Sequence, residues 1–508
     1  MKKIYLTIVA CVAMAFSANA VEEGEANIYA SGLKVNGNNL EFVLNATPTE
    51  VQVVFKDEND AVVKSITVDD AKKGVNTISL EGVFNNVKAN ASLKWEVVAT
   101  AEANNVVKLF SDESAASQMI AYPTHIAVDR NPKSSFYGRI YVNEGNAYTY
   151  SAQNRTTSEG VYIFNAAFED ETMQGQKAWN GGVSWVNNGW KYSSPCMLYV
   201  ADNGDVFISD WTDSNSGVWV MNPAKPSENF RPVFGGVRNN IGLVSENSVD
   251  IHGSISGICV LGEGKDRVLY TYDEDLGTPG SINKYNIGDF ESPWVSAPSS
   301  VWYDNVDEQL IGGQSAVLRS DGRGGFWVSH HRYANDTYSM LVHINENAQI
   351  DYETGSDNTL SITANDNYGM DISPDGKLIA LACSKSVLIY EVSYDVNTGI
   401  PSLSLKEEID EKVSTKCFGV AFDAVGNIYL ADNSDHIRAF ALPKAVNSST
   451  TEANEAVIVN DEMTGIADVA VDANAPVEYY NIQGVKVENP VNGIFVKKQA
   501  GKAIKVIL

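Results

Sequence analysis

An all-β fold in three parts is what this 508-residue sequence predicts: a small N-terminal β-sandwich, a central six-bladed β-propeller and a short C-terminal β-hairpin tail. Two observations carry that reading. Apolar and polar residues alternate with period two between Gly- and Asn-rich turns, the pattern of half-buried strands. A strand–turn–strand unit also recurs six times through the middle of the chain, and such recurrence marks stacked structural repeats.

Residues 1–20 read as a signal peptide. Lys2 and Lys3 form a charged start, Ile4 to Phe16 an apolar run too short to span a bilayer, and Ala18-Asn19-Ala20 a small-residue cleavage site. The mature chain is therefore expected to begin near Val21. Cys11 after Ile8-Val9-Ala10 offers a lipidation reading, but the apolar run continues beyond it. No later stretch reaches eighteen apolar residues, so no transmembrane segment is expected in the mature chain.

The net charge is −27, and −29 once Lys2 and Lys3 leave. So acidic a chain would meet Coulomb repulsion at every phosphate, which excludes nucleic acid and anionic lipid as favoured partners. Cys196, Cys259, Cys383 and Cys417 are widely spaced, without a C-x-x-C pattern, and read as buried thiols.

Over residues 21–103, Val51, Val53 and Phe55 alternate on one strand and Leu93, Trp95 and Val97 on another. Turns such as Val35-Asn-Gly37-Asn-Asn39 and Lys72-Lys-Gly74-Val-Asn76 separate the strands. About seven strands in this length is the rhythm of a small β-sandwich. The passages Ala26–Leu33, Lys73–Thr77 and Leu93–Val97 resemble the FlgD-type immunoglobulin-like module of secreted bacterial proteins. That resemblance implies an Ig-like spacer or docking module with no catalytic part.

Residues 104–446 hold the repeat. Its strand pairs include His125–Asp129 with Gly138–Val142, Met197–Ala201 with Gly204–Ile208, and Ser256–Val260 with Asp266–Tyr270. Ala316–Leu318 with Gly324–Val328, Met370–Ile372 with Gly376–Ala380, and Val420–Asp423 with Gly426–Leu430 complete the six. The turn anchors at 138, 204, 266, 324, 376 and 426 are 66, 62, 58, 52 and 50 residues apart, a spacing that fits four-stranded blades with insertions in the earlier ones. A seventh blade enters only if residues 292–309 hide one. Asn105–Phe110 is a candidate to close the ring on the last blade. Gly426-Asn-Ile-Tyr-Leu-Ala-Asp432 through Phe440 is similar to the NHL repeat, as is Gly138-Arg-Ile-Tyr-Val-Asn143. The similarity implies a propeller that binds other molecules or, in related six-bladed families, hydrolyses or eliminates small substrates.

Residues 447–475, opening on Ser448-Ser-Thr-Thr451, read as a linker, with Ala456–Val459 as an alternative outer strand of a blade. The tail, 476–508, carries three short apolar strands between Gly and Asn-Pro turns. Its Tyr480-Asn-Ile-Gln-Gly484, Gly493-Ile-Phe-Val496 and Lys505-Val-Ile507 resemble the C-terminal sorting domain of the type IX secretion system of Bacteroidetes. This implies export machinery as a partner and a secreted or outer-membrane-surface location. A hairpin that caps the main domain is the alternative.

Six residues beyond each anchor stand Glu144, Asp210, Tyr272, His330, Ala382 and Asp432, predicted to lie at one height on one rim. Glu144, Asp210 and Asp432 would suit a hard cation such as calcium, although no cofactor is required, and Asp210, His330 and His331 would suit acid–base work. Strand-end Asp equally bonds its own loop backbone, so both readings stand. Arg332 and Tyr333 follow the His pair and suit carboxylate recognition. Trp179, Trp185 and Trp190, with Trp211, offer faces on which sugars stack, or pack between blades. No phosphate loop, G-x-S-x-G elbow or H-E-x-x-H helix is present. The expected function is binding of an extracellular ligand, a glycan or a peptide. A hydrolase or lyase acting on a glycan or lactone, and a structural surface protein, are the alternatives.

Overall fold

The computed structural model describes residues 21–185, 193–212, 217–235, 254–274, 278–289, 299–307, 316–329, 341–354, 367–383, 385–413, 417–432, 436–464, 475–499 and 502–508. They are strands and turns, with two three-residue 3₁₀ turns as the helical elements among them. No helix among them is long and apolar enough to cross a membrane.

Six antiparallel sheets form the propeller. Blade one has three strands (Pro123–Val128, Ile140–Glu144, Gly160–Phe164) and blades two to five have four each, beginning at Leu198, Ile255, Val317 and Asn367. Ser300–Tyr303, within the stretch where a seventh blade was conceivable, is the outer strand of blade three. Blade six takes three strands from Cys417–Phe422, Asn427–Asp432 and Arg438–Ala441. Its fourth comes from chain ahead of blade one in the sequence, because Lys108–Leu109 pairs antiparallel with Phe440 and Ala441. Glu22–Glu23 then adds a parallel strand outside it. The closure expected of Asn105–Phe110 is thus present, and it leaves the ring without an open seam.

The inner strands converge where glycines replace side chains. A Cβ on Gly369 would stand 2.8 Å from the Gly419 Cα, and one on Gly419 would stand 3.1 Å from the His125 Cα. Blades five, six and one therefore meet backbone to backbone at the axis.

The N-terminal part is two sheets over one core. Ala30–Asn36, Asn39–Leu44 and Gly74–Ser79 form one; Glu50–Lys56, Val62–Thr67 and Ser92–Thr100 belong to the other. Alternate residues Leu40, Phe42 and Leu44 face Val51, Val53, Phe55, Trp95 and Val97 across it, all buried. The linker expectation fails here. Ser448–Glu452 pairs along Glu96–Thr100, Val457–Ile458 pairs with Ser92–Leu93, and Trp95 Nε1 donates to the Glu455 carbonyl at 2.9 Å. Chain from beyond the propeller completes the first module, and Ala456–Val459 serves that module instead of a blade.

Module and propeller are joined by five buried asparagines. Asn27 N–H donates to Asn427 Oδ1 (2.7 Å), its Nδ2 to the carbonyls of Leu442 (3.0 Å) and Gly426 (3.3 Å), and its Oδ1 accepts from Asn104 Nδ2 (2.9 Å). Asn45 and Asn447 accept the next two backbone N–H groups, of Tyr29 and Ile28. Asn suits this place because one amide both donates and accepts, so it can satisfy strand ends that no ladder reaches.

The tail forms a four-stranded sheet, one strand more than expected, from Glu478–Tyr480, Lys486–Val487, Ile494–Gln499 and Lys502–Ile507. Its Ile482, Val485, Val491, Ile494, Ile504 and Ile507 are exposed.

Candidate functional site

Glu144, Asp210 and Asp432 end the second strands of blades one, two and six, at one end of the ring, and are fully buried. Asp210 Oδ2 accepts from Ser194 Oγ at 2.6 Å and Oδ1 from the Thr212 N–H at 2.9 Å. Asp432 is paired with Arg438. Glu144 Oε1 accepts from the Tyr122 N–H at 3.3 Å and Thr157 Oγ1 at 3.4 Å, and burial pushes its pKa well above the carboxylate range. No group of three or more His, Cys, Asp or Glu among the described residues is placed to hold a metal ion; the predicted rim also includes His330, which lies outside them. Tyr272 is buried in the core of blades three and four. His330, His331, Arg332, Tyr333 and Trp190 lie outside the described residues.

The tryptophans pack inward. Trp185 meets buried Trp219 edge to face at 5.4 Å, Trp179 packs in the same cluster, and Trp211 Nε1 donates to Glu274 at 2.6 Å. The stacking faces expected for a sugar are in contact with protein at Trp179 and Trp185.

A cavity of about 860 Å³ opens at the opposite end of the ring, where the first and second strands of the blades are joined. The second strands begin there and end at the predicted rim, so their five or six residues separate the two by roughly 15–20 Å. Its floor is a bridge of charge across the propeller axis. Asp371, on the inner strand of blade five, accepts from Arg319 Nε of blade four at 3.0 Å, Arg130 Nη1 of blade one at 3.1 Å and the Phe422 N–H of blade six at 2.8 Å. One carboxylate thus ties four blades. Arg319 also donates to the Leu318 carbonyl at 3.0 Å, and Arg130 to that of Ile372 at 2.6 Å. Two guanidiniums against one carboxylate leave the floor one positive charge in excess, inside a strongly acidic protein. His125, one layer deeper, feels it: burial first, then the charge of Arg319, hold its pKa well below the ordinary histidine value, and neither ring nitrogen has a partner among the described residues.

The wall on blade four is held by His343, whose Nε2 stands 3.0 Å from Asp321 Oδ2 and whose Nδ1 stands 2.6 Å from Asp351 Oδ1. Asp321 shapes the turn by accepting from the Arg323 and Gly325 N–H groups at 2.7 and 2.9 Å. Arg323 lies 4.3 Å over the Tyr394 ring, and Trp327 Nε1 donates to the Tyr394 hydroxyl at 3.3 Å. A neutral imidazole donates from only one nitrogen, so two carboxylates at hydrogen-bonding distance favour the doubly protonated ring. Burial opposes that charge, but the bonds to Asp321 and Asp351 outweigh it and raise the His343 pKa above 6.5. A raised histidine contributes its full stabilisation below 6.5 and loses it as pH rises through the folded value. Melting temperature should therefore fall above pH 6.5 in the wild type, and fall less in His343→Gln; parallel pH profiles would refute the clamp. Asp129 and Asp423, both raised to about 6 by burial, act with the same sign at lower pH, between 3.8 and about 6.

None of Arg130, Arg319, Asp371, Arg323 or His343 was singled out from sequence. The available signal was a charge within an apolar inner strand: Val317-Leu-Arg319 and Met370-Asp371-Ile372.

No protein-family model matches the chain, and no curated protein sequence matches it. Among solved structures it is similar to a Bacteroides thetaiotaomicron protein of unknown function, at 13% identity and TM-score 0.37, over 83% of this chain and 100% of that one. It is also similar to an auxiliary nutrient binding protein from the same organism, at 8% identity and TM-score 0.38, over 82% and 97%. A streptogramin B lyase follows at 12% identity and TM-score 0.37, over 67% and 100%. Likenesses this distant leave the ligand to be argued from the chain's own residues.

Proposed function

We propose that this protein is exported and that its propeller binds an extracellular ligand, a glycan or a peptide, in the cavity over the Arg130–Asp371–Arg319 bridge. The cavity carries the proposal: about 860 Å³ is within the usual range for ligand pockets, and its lining offers fixed charges and hydroxyls. The Asp371 bridge supports it by holding the floor rigid before any ligand arrives, which reduces the ordering cost of binding. Ser393 is exposed on the lining, so Ser393→Trp should fill the mouth without touching the floor. Residues 21–508 should bind members of a glycan array or a peptide library, and Ser393→Trp should weaken that binding at least tenfold. Undiminished binding by the variant would move the site elsewhere.

The tail supports the export reading, since its exposed apolar residues leave it a surface for another partner. Removing residues 476–508 should hold the protein in the periplasm; surface display of the truncated chain would end the sorting proposal.

A further inference from the structure

The charge on the cavity floor narrows the class of ligand, an argument that rests on the cavity being the binding site. Arg130 spends Nη1 on the floor, leaving Nε–H and Nη2–H, one edge of its guanidinium, without a partner among the described residues. Arg319, buried, spends Nε and Nη1, and its Nη2 makes no hydrogen bond among the described residues. Arg323 makes no ion pair among the described residues. Lys377 is paired with Asp375 at 3.1 Å. The free edge of Arg130 is the geometry that takes a carboxylate through two parallel hydrogen bonds. The attraction is local to the Arg130–Asp371–Arg319 bridge, since Asp129, Asp202, Asp321 and Asp375 share the lining, and partial burial raises its strength.

The aromatic side chains of the same cavity speak against a sugar. Arg319 lies 5.4 Å from the Tyr199 ring centroid and Arg323 4.3 Å from that of Tyr394, so each ring presents a face already covered by a guanidinium. A pyranose would have to displace a cation from each ring to stack there. A peptide needs no stacking, because its carboxylate bonds to Arg130 while its amides meet the turn backbones and hydroxyls at the rim.

We propose that the cavity binds the carboxylate end of a peptide, with the free edge of Arg130 and Nη2 of Arg319 on the carboxylate and Arg323 as a second cation at the mouth. The probes are an N-acetylated tetrapeptide library with free C-terminal acids, the same library amidated, and a trimer of galacturonic acid. Binding to residues 21–508 is read by calorimetry at low and moderate salt. The free-acid library should bind, amidation should weaken binding by about tenfold to a hundredfold, and added salt should weaken the acid more than the amide. Arg130→Gln should erase the acid–amide difference. Because that change also loosens the floor, exposed Arg323→Gln is the companion variant, expected to keep the wild-type melting temperature and reduce the difference several-fold. Equal binding of acid and amide would overturn the inference. So would binding of the galacturonate trimer in place of peptide, with the cavity still the site if Ser393→Trp abolishes it. Binding that ignores Ser393→Trp would overturn the cavity itself.

Discussion

Replacing Asp371 with alanine is expected to remove about 3–5 kcal/mol of unfolding free energy, the range for deleting one partner of a buried ion pair. Arg319 would be left charged and buried, Arg130 would lose its anion, and the Phe422 N–H its acceptor. Denaturant unfolding of the full chain is the measurement, with Asp371→Asn as the variant that keeps shape and loses charge. The pair Asp371→Leu with Arg319→Met should recover much of the loss, because an apolar pair of similar volume needs no desolvation. A cost below about 1 kcal/mol for Asp371→Ala would show that the blades do not depend on the axial bridge.

Asn27→Ala should be the second most damaging change. It strands the carbonyl of Leu442 and the side-chain amide of Asn104 at a buried junction, at roughly 1–3 kcal/mol for each group left unpaired, while the Gly426 carbonyl keeps the Leu442 N–H at 3.2 Å. The loss should come with faster proteolysis of the first module, since Asn27 is where that module grips blade six. If unfolding stays within about 0.5 kcal/mol of wild type, water has taken over the amide's bonds and the junction is softer than its geometry implies.

The blades were legible because each is local: the strands alternate, and turn glycines such as Gly204, Gly376 and Gly426, all at positive φ, mark the reversals. The closing strand was legible for the same reason, as an apolar run with no other home. Ser448–Glu452 was not. Its polar Ser-Ser-Thr-Thr composition reads as a loop, and the strand it joins lies about 350 residues earlier, beyond any local signal. The site divides the same way. Counting from the turns placed Glu144, Asp210 and Asp432 at matching strand ends, but their bonds to Tyr122, Ser194, Thr212 and Arg438 depend on loop courses that counting does not give. Arg319 and Asp371 were visible as charges in apolar strands. That they meet, and that Arg130 joins them from across the ring, follows only from closing the circle.

The strand from Ser448 to Glu452 also orders events in time. The chain leaves the ribosome N-terminus first, so the opening module waits on chain more than 340 residues away for its last strands, and Lys108–Leu109 waits on blade six for its partner. Neither unit can finish alone, so vectorial delivery of the chain leaves the edge at Ser92–Thr100 unpaired until residue 458 has arrived. An interrupted chain, cut anywhere within the propeller, presents that bare edge to its neighbours as a template for intermolecular pairing.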